Sequence, residues 1–244
     1  MTPVKSSESV QGFNSVELLG YYGGDETHAL SAWTSTSRDL TDEKRNRMGK
    51  LLHDLASAGH ATPFEKSSLH FLITSDVASH IHLIKHRVGV SVNAESARYK
   101  ELKDDKFYIP VDWDEEERSS YVGFMEDALK CYHQTLERLV AKGMSRKRAK
   151  ESARFYLPYG NQITADVMFN FKSFTHFMGL RYSEHAQLEV RELALKMLQQ
   201  VLLTGKFNMS LSAFKYIDVN GVIVPPGKLL FSNFTCNTNI FFVI

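Results

Sequence analysis

Apolar positions along the chain recur at two spacings, and each change of spacing marks an element. Val16–Tyr22 (VELLGYY) is a short apolar run of strand character, stopped by Gly23-Gly24. Asp25 is placed to cap a short helix running to Trp33. Asp42–Ala58 carries Leu51, Leu52 and Leu55 as an apolar stripe, with Thr41 as cap and Gly59 as stop. His60-Ala-Thr-Pro-Phe-Glu65 reads as a rigid turn, because Pro63 pushes Thr62 away from helical geometry. Ser67–Thr74 alternates as a strand. Asp76–Arg87, with Val77, Ile81 and Ile84, reads as a helix, and Val88–Ser96 as a polar loop around Gly89, Ser91, Asn93 and Ser96. Phe107–Pro110 is extended.

The second half is more helical. Tyr121–Val140 places Tyr121, Phe124, Leu129, Tyr132, Leu136 and Leu139 at three-to-four spacing, and Gly143 ends it. A basic helix, Arg146–Phe155, opens at Ser145 and stops at Pro158-Tyr-Gly160. Ile163–Phe171 reads as a strand and Lys172–Leu180 as a short helix. Ser183 is the expected cap of a helix over Glu184–Thr204. Ile217–Val224, with Asn220-Gly221 at its centre, is a hairpin signal, and the chain closes on an apolar FSNFTCNTNIFFVI.

Composition narrows the class. At 244 residues, 43% hydrophobic and 23% charged, the chain can bury a proper core. A net charge of +1 supplies no global field toward nucleic acid or membrane, so anion binding must come from local arginines. The start of the chain lacks the apolar run of a signal peptide, and no stretch is long enough to span a bilayer. Cys131 and Cys236 have no metal or redox spacing. The expectation is a soluble cytoplasmic protein with no nucleic-acid, membrane or metal partner. Three segments are expected: a flexible leader over 1–14, one domain over 15–215, and a divergent tail over 216–244.

Candidate chemistry concentrates in His80–Arg98, where His80, His82, Lys85, His86, Arg87, Ser91, Asn93, Glu95, Ser96 and Arg98 fall within one helix-to-loop passage. Guanidinium groups grip phosphate oxygens in pairs, while Ser, Asn and Glu read ring edges, so the cluster suits a phosphorylated, ring-bearing ligand. A solvated helix end is the other reading, and both stand open on composition. Arg181 just ahead of His185, Gln187 and Glu189 makes a second candidate anion site. Arg146–Arg154 also admits a nucleic-acid surface, against the neutral whole. No G-x-G-x-x-G, phosphate-cradling G-x-x-x-x-G-K, H-E-x-x-H or G-x-S-x-G is present. Ser91 and Ser96 can serve as hydrogen-bonding serines or as nucleophiles, the latter only with a placed base.

With these residues in hand, the chain resembles the flavin-dependent thymidylate synthases. The turn His60-Ala-Thr-Pro-Phe-Glu65 is similar to the family's H-x-T-P-F-E. Lys85-His-Arg87 through Ser96 to Arg98-Tyr99 resembles its signature of Arg-His-Arg, seven residues, then Ser. Phe107-Tyr-Ile-Pro110, Ala153-Arg154, Leu157-Pro158, Asn170, Leu180-Arg181, and His185-Ala-Gln187 with Glu189 follow in the family's order. The likeness spans about residues 15–215. Departures are Lys85 for the first signature arginine, eight residues instead of seven between Arg87 and Ser96, and Glu95 directly beside Ser96. His82 replaces a glutamine, and Lys172 an arginine.

The resemblance implies an α+β fold, a curved antiparallel sheet flanked by helices with a helical lobe, assembled as a homotetramer. It implies methylation of dUMP to dTMP, with methylenetetrahydrofolate as carbon donor, FAD as cofactor and NADPH as reductant. By position it implies Arg98 and Arg181 as catalytic cations. The implied dUMP ligands are His82, Lys85, Glu95, Ser96, Ala97, Arg98, Arg154 and Arg181. The implied FAD ligands are Ser35, Thr62, Glu65, Lys85, His86, Arg87, Asn93, Glu95, Asn170 and His185. A catalytically impaired FAD- and dUMP-binding relative is the alternative that the departures raise.

Overall fold

The structure, a computed structural model, describes residues 11–96, 101 and 105–228. Ala97, Arg98 and Tyr99 of the signature, residues 1–10 and the apolar terminus from 229 lie outside the described residues. Two strands open the chain, β1 (Gln11–Gly12) and β2 (Ser15–Tyr22). Helices α1 (Asp25–Trp33) and α2 (Asp42–Ser57) follow, then a 3-10 turn over Thr62–Glu65. Strand β3 (Ser68–Asp76) leads into helix α3 (Val77–Ile84), and strand β4 (Val90–Ala94) comes next. After β5 (Phe107–Tyr108) come the long α4 (Glu115–Ala141) and the short α5 (Arg146–Ala153). Strand β6 (Gln162–Asn170) is followed by α6 (Phe171–Arg181), α7 (Leu188–Leu203) and α8 (Asn208–Ala213).

The main sheet is antiparallel throughout, in the order β2-β3-β6-β4. Strict alternation along β3 buries Leu69, Phe71 and Ile73 and leaves Ser68, His70, Leu72 and Thr74 on the opposite face. The inward residues join Val167 and Phe169 of β6 and a layer of phenylalanines (Phe64, Phe171, Phe174, Phe177, Phe207) against α1, α2, α6, α7 and α8. A separate lobe forms where α4 packs on α5 around Tyr132, Leu136, Ala149 and Ala153. The fold is thus α+β, with one face of the sheet covered by helices.

Several local expectations are revised. Val88–Ser96 is not a loop: Val90–Ala94 is an edge strand, because Val90, Val92 and Ala94 alternate onto the core while Ser91 and Asn93 face out. Small polar residues masked that period of two. The helix after Arg181 starts at Leu188 instead of Glu184, and residues 183–187 form a turn. Thr62 opens the 3-10 turn with Pro63 in its first positions. Asp25 does not cap its own helix, which is preceded by Gly24; its carboxylate accepts from the backbone N–H of Met209 and Ser210, both at 2.8 Å, and so caps α8. Within 1–14, β1 pairs in parallel with β5 and Asn14 is buried. Past 215, Tyr216 is buried with its hydroxyl donating to Thr175 O at 2.8 Å, and a single bridge, Ile217 to Ile223, closes the Asn220-Gly221 turn.

Candidate functional site

The signature stretch is anchored at its start. Asp76 ends β3 and caps α3, accepting from Ser79 N at 2.7 Å. Buried Asn14 donates to the other Asp76 oxygen at 2.9 Å, and its own carbonyl oxygen accepts from Gln162 Nε2 and Asp76 N, both at 3.1 Å. Helix α3 is thereby fixed in direction, and its last turn and the residues just past it bring His82 and His86 to the end of α6.

There the two halves of the pattern meet. Arg181, the last residue of α6, donates from Nε to His86 Nε2 at 3.1 Å. An arginine has no acceptor, so His86 Nε2 carries a lone pair and the ring is neutral. Burial, reinforced by Arg181, His176 and His82, pushes the His86 imidazole down to about 4. Burial also lowers His82, with Arg181 and Lys85 adding to it, and lowers His176 and the Arg181 guanidinium. The His86 ring stands edge-on to Phe177 at 4.9 Å and to His176 at 5.9 Å, both from α6.

A second junction ties β4 to the start of α6. Asn170 N donates to Gly89 O at 2.9 Å, and Ser173 Oγ donates to Val88 O at 2.7 Å. Asn170 Oδ1 in turn caps α6 through Ser173 N at 2.7 Å. Gly89 sits at φ +65°, and a Cβ there would collide with the Asn170 and Ser173 side chains. Beside it opens a cleft of about 490 Å³, walled by Tyr22, Glu65, Lys66, Ser91, Met168 and Asn170 among others. The Tyr22 ring is 69% exposed and offers flat apolar surface, while the carboxylate, ammonium, amide and hydroxyl around it offer both donors and acceptors. On the same open sheet face His70 Nε2 meets Asp166 Oδ1 at 2.5 Å, and Asp166 is registered opposite Asn93.

Of the residues singled out in the sequence, Glu65 and Asn170 share the cleft wall, and Thr62 heads the same turn as Glu65. His82, His86 and Arg181 form the interacting cluster, with Lys85 at the end of α3 and exposed Arg87 just beyond. Glu95 exchanges backbone and side-chain bonds with Thr164, at 2.8 and 3.1 Å, and Ser96 follows it. Ser35 lies in the turn after α1, where its hydroxyl donates to Ala32 O at 3.0 Å. Arg154 is exposed at the end of the α4–α5 lobe, and His185 is exposed between α6 and α7. Among the described residues, no hydrogen bond or ion pair links Ser35, Arg154 or His185 to the cleft or to Arg181.

Sequence reasoning passed over His176, Tyr22, Lys66 and Met168. Met168 shares its sheet face with Asn170 by the period of two, which was a usable signal. Nothing local announces His176. Cys131 is exposed on α4, and no group of three or more metal-binding side chains occurs among the described residues. No helix among them is long and apolar enough to cross a membrane.

Comparison with known proteins agrees with the motif order. The family model described as thymidylate synthase complementing protein matches residues 17–203. A flavin-dependent thymidylate synthase of Pseudothermotoga lettingae is 31% identical over 191 residues, covering 75% of this chain and 83% of that protein. The enzyme of the same description from Clostridium tetani is 34% identical over 176 residues, covering 68% and 69%. The fold is similar to the crystal structure of a UMP/dUMP methylase, PolB, from Streptomyces cacaoi bound with 5-Br dUMP: TM-score 0.71, 24% identity, 84% of this chain and 96% of that one.

Proposed function

Given that the chain belongs to the flavin-dependent thymidylate synthase family, we propose that it methylates dUMP to dTMP, with methylenetetrahydrofolate as carbon donor and NADPH as the source of electrons. The observation that carries the reading is the convergence of the signature stretch and α6, where His86, just past α3, holds Arg181 at the end of α6. Exposed Cys131 has no place beside this cluster, in keeping with a route that uses no cysteine nucleophile.

The cleft fits a flavin nucleotide in kind. Tyr22 and Met168 supply flat apolar contact, while Glu65, Asn170 and Ser91 supply acceptors and donors for hydroxyls and ring edges. In this reading FAD is held by Ser35, Thr62, Glu65, Lys85, His86, Arg87, Asn93, Glu95, Asn170 and His185. Reduced flavin, when bound, supplies the hydride. The protein's own part is to bind, orient and polarise. Arg154 holds the nucleotide phosphate, with Ser96 and Ala97 beside it, and His82, Lys85 and Glu95 border the base. Arg98 and Arg181 face the negative charge that develops on the uracil oxygens. Arg181 is suited to this because it is half-buried, which strengthens its interaction with a nearby charge.

Among the described residues Ser35, Arg154 and His185 do not line the cleft, so a homotetramer that brings them in from neighbouring copies belongs to the proposal, as does a cytoplasmic location. The test is direct. Purified protein should carry a flavin absorption band and release tritium from dUMP labelled at C5 when given NADPH and methylenetetrahydrofolate. A colourless protein that binds dUMP without turnover would instead support the impaired relative. Arg154→Ala should raise the KM for dUMP at least about tenfold, the loss of a charge-assisted phosphate contact.

A further inference from the structure

We propose that His86 is a positioning residue that acts on the nucleotide through Arg181: its bare Nε2 holds the guanidinium by Nε and leaves the two terminal nitrogens as a fixed pair of donors for the pyrimidine. This deepens the function proposed above and rests on it.

The hydrogen order is forced. Arg181 Nε–H donates at 3.1 Å, so Nε2 of His86 cannot also carry a proton. A guanidinium bonded through Nε is restricted about its last side-chain torsions, and its planar fork then presents Nη1 and Nη2 in a narrower range of directions. Among the described residues no acceptor is bonded to those two nitrogens. Arg181 therefore arrives half-buried, charged and with its paired donors uncommitted. A half-buried donor pair is only partly served by water, and a ligand with carbonyl or anionic oxygens satisfies it.

The imidazole is itself fixed. His86 is 8% exposed and follows directly on the end of α3, whose direction Asp76 sets. Its ring lies edge-on to Phe177, which stands one turn before Arg181 on α6. The groups acting on it are Arg181, His176 and His82, with no carboxylate among them, so nothing nearby favours a proton that would end the contact. A protonated imidazole would repel Arg181 and a carboxylate would neutralise it, whereas a neutral acceptor leaves its full charge to the ligand. His86 thus has one ring nitrogen committed to α6, and its effect on the nucleotide is separable from any contact it makes with the cofactor.

The experiment measures dUMP affinity by titration calorimetry and flavin affinity by fluorescence for flavin-loaded wild type, His86→Phe, His86→Gln, Arg181→Ala and the double variant His86→Phe with Arg181→Ala. Phe keeps a ring against Phe177 but removes the acceptor; Gln restores an acceptor oxygen. His86→Phe should weaken dUMP binding about tenfold, the scale of one lost hydrogen bond to a charged group, and more than it weakens flavin binding. His86→Gln should recover most of that loss. In the Arg181→Ala background His86→Phe should cost nothing further. Multiplicative losses in the double variant would overturn the proposal, and so would a dUMP loss in His86→Phe no larger than its flavin loss. Full dUMP affinity in a folded His86→Phe overturns it while leaving the proposed function standing. Wild type that binds no dUMP removes the function and the inference with it. Melting temperatures separate a folding defect, and His86→Gln carries the test if the Phe variant fails to fold.

Discussion

Ser210 donates twice to Asp25: its backbone N–H and its hydroxyl both end on Oδ1, at 2.8 and 2.6 Å. With Met209 N on the other oxygen, a carboxylate from the start of α1 closes the first turn of α8. Asp25→Ala removes this cap and strands three donors, the two of Ser210 buried, so unfolding free energy should fall by about 2–4 kcal/mol. Urea denaturation followed by circular dichroism checks it, and a loss under about 0.5 kcal/mol would contradict the assignment.

The same hydroxyl continues inward. Because Ser210 gives its proton to Asp25, it accepts from His28 Nδ1 at 2.8 Å, and His28 Nε2 accepts from Ser67 at 2.6 Å. His28 is fully buried among Phe64, Phe171 and Phe207, and burial lowers its imidazole to about 4. The unfolded chain takes up this proton near pH 6.5, the folded chain only near 4, so acidification between those values favours unfolding. The group contributes about 3 kcal/mol that is present above pH 6.5 and lost on the way to pH 4. His86, lowered in the same direction, adds to the slope. Stability measured by denaturant between pH 7 and 4.5 should fall steadily, and less steeply in a folded His28→Phe variant.

Gly89→Ala places a methyl group against Asn170 and Ser173 at a backbone angle that alanine resists. The junction of β4 with α6 should loosen, at about 1–3 kcal/mol in stability. Flavin affinity should drop with it, since Gly89 and Asn170 both line the cleft. Flavin fluorescence titration beside a melting curve reads both effects, and unchanged affinity in a folded variant would place the flavin elsewhere.

Lys85 stands at the end of α3 with its ammonium where the resemblance implies a guanidinium. Lys85→Arg restores a forked donor and should tighten flavin or dUMP binding roughly three- to tenfold, without a change in melting temperature. Equal affinities would show that a point charge suffices at this position.

Much of the architecture could be read from periodicity. The strands around Val16, Leu69 and Val167 and the long helix through Leu136 follow from their apolar spacing. Edge strand β4 escaped because Gly, Ser and Asn look like turn chemistry until their outward parity is noticed. Asp25 escaped for a different reason: a polar residue before an apolar run signals a local cap, and no pattern shows that its partner lies 184 residues away. Motif order pointed to His86 and Arg181 separately. Their contact depends on where the chain leaving α3 meets the end of α6, which sequence spacing does not encode.

The bonds from Asn170 and Ser173 back to Gly89 and Val88 make one mechanical joint of the edge-strand entrance and the α6 entrance. Arg87 lies one residue before that joint, and Arg181 lies at the far tip of the lever it supports. The two cations, 94 positions apart in the chain (181 − 87), share a common pivot. Engineering either arm without preserving the pivot would displace both together.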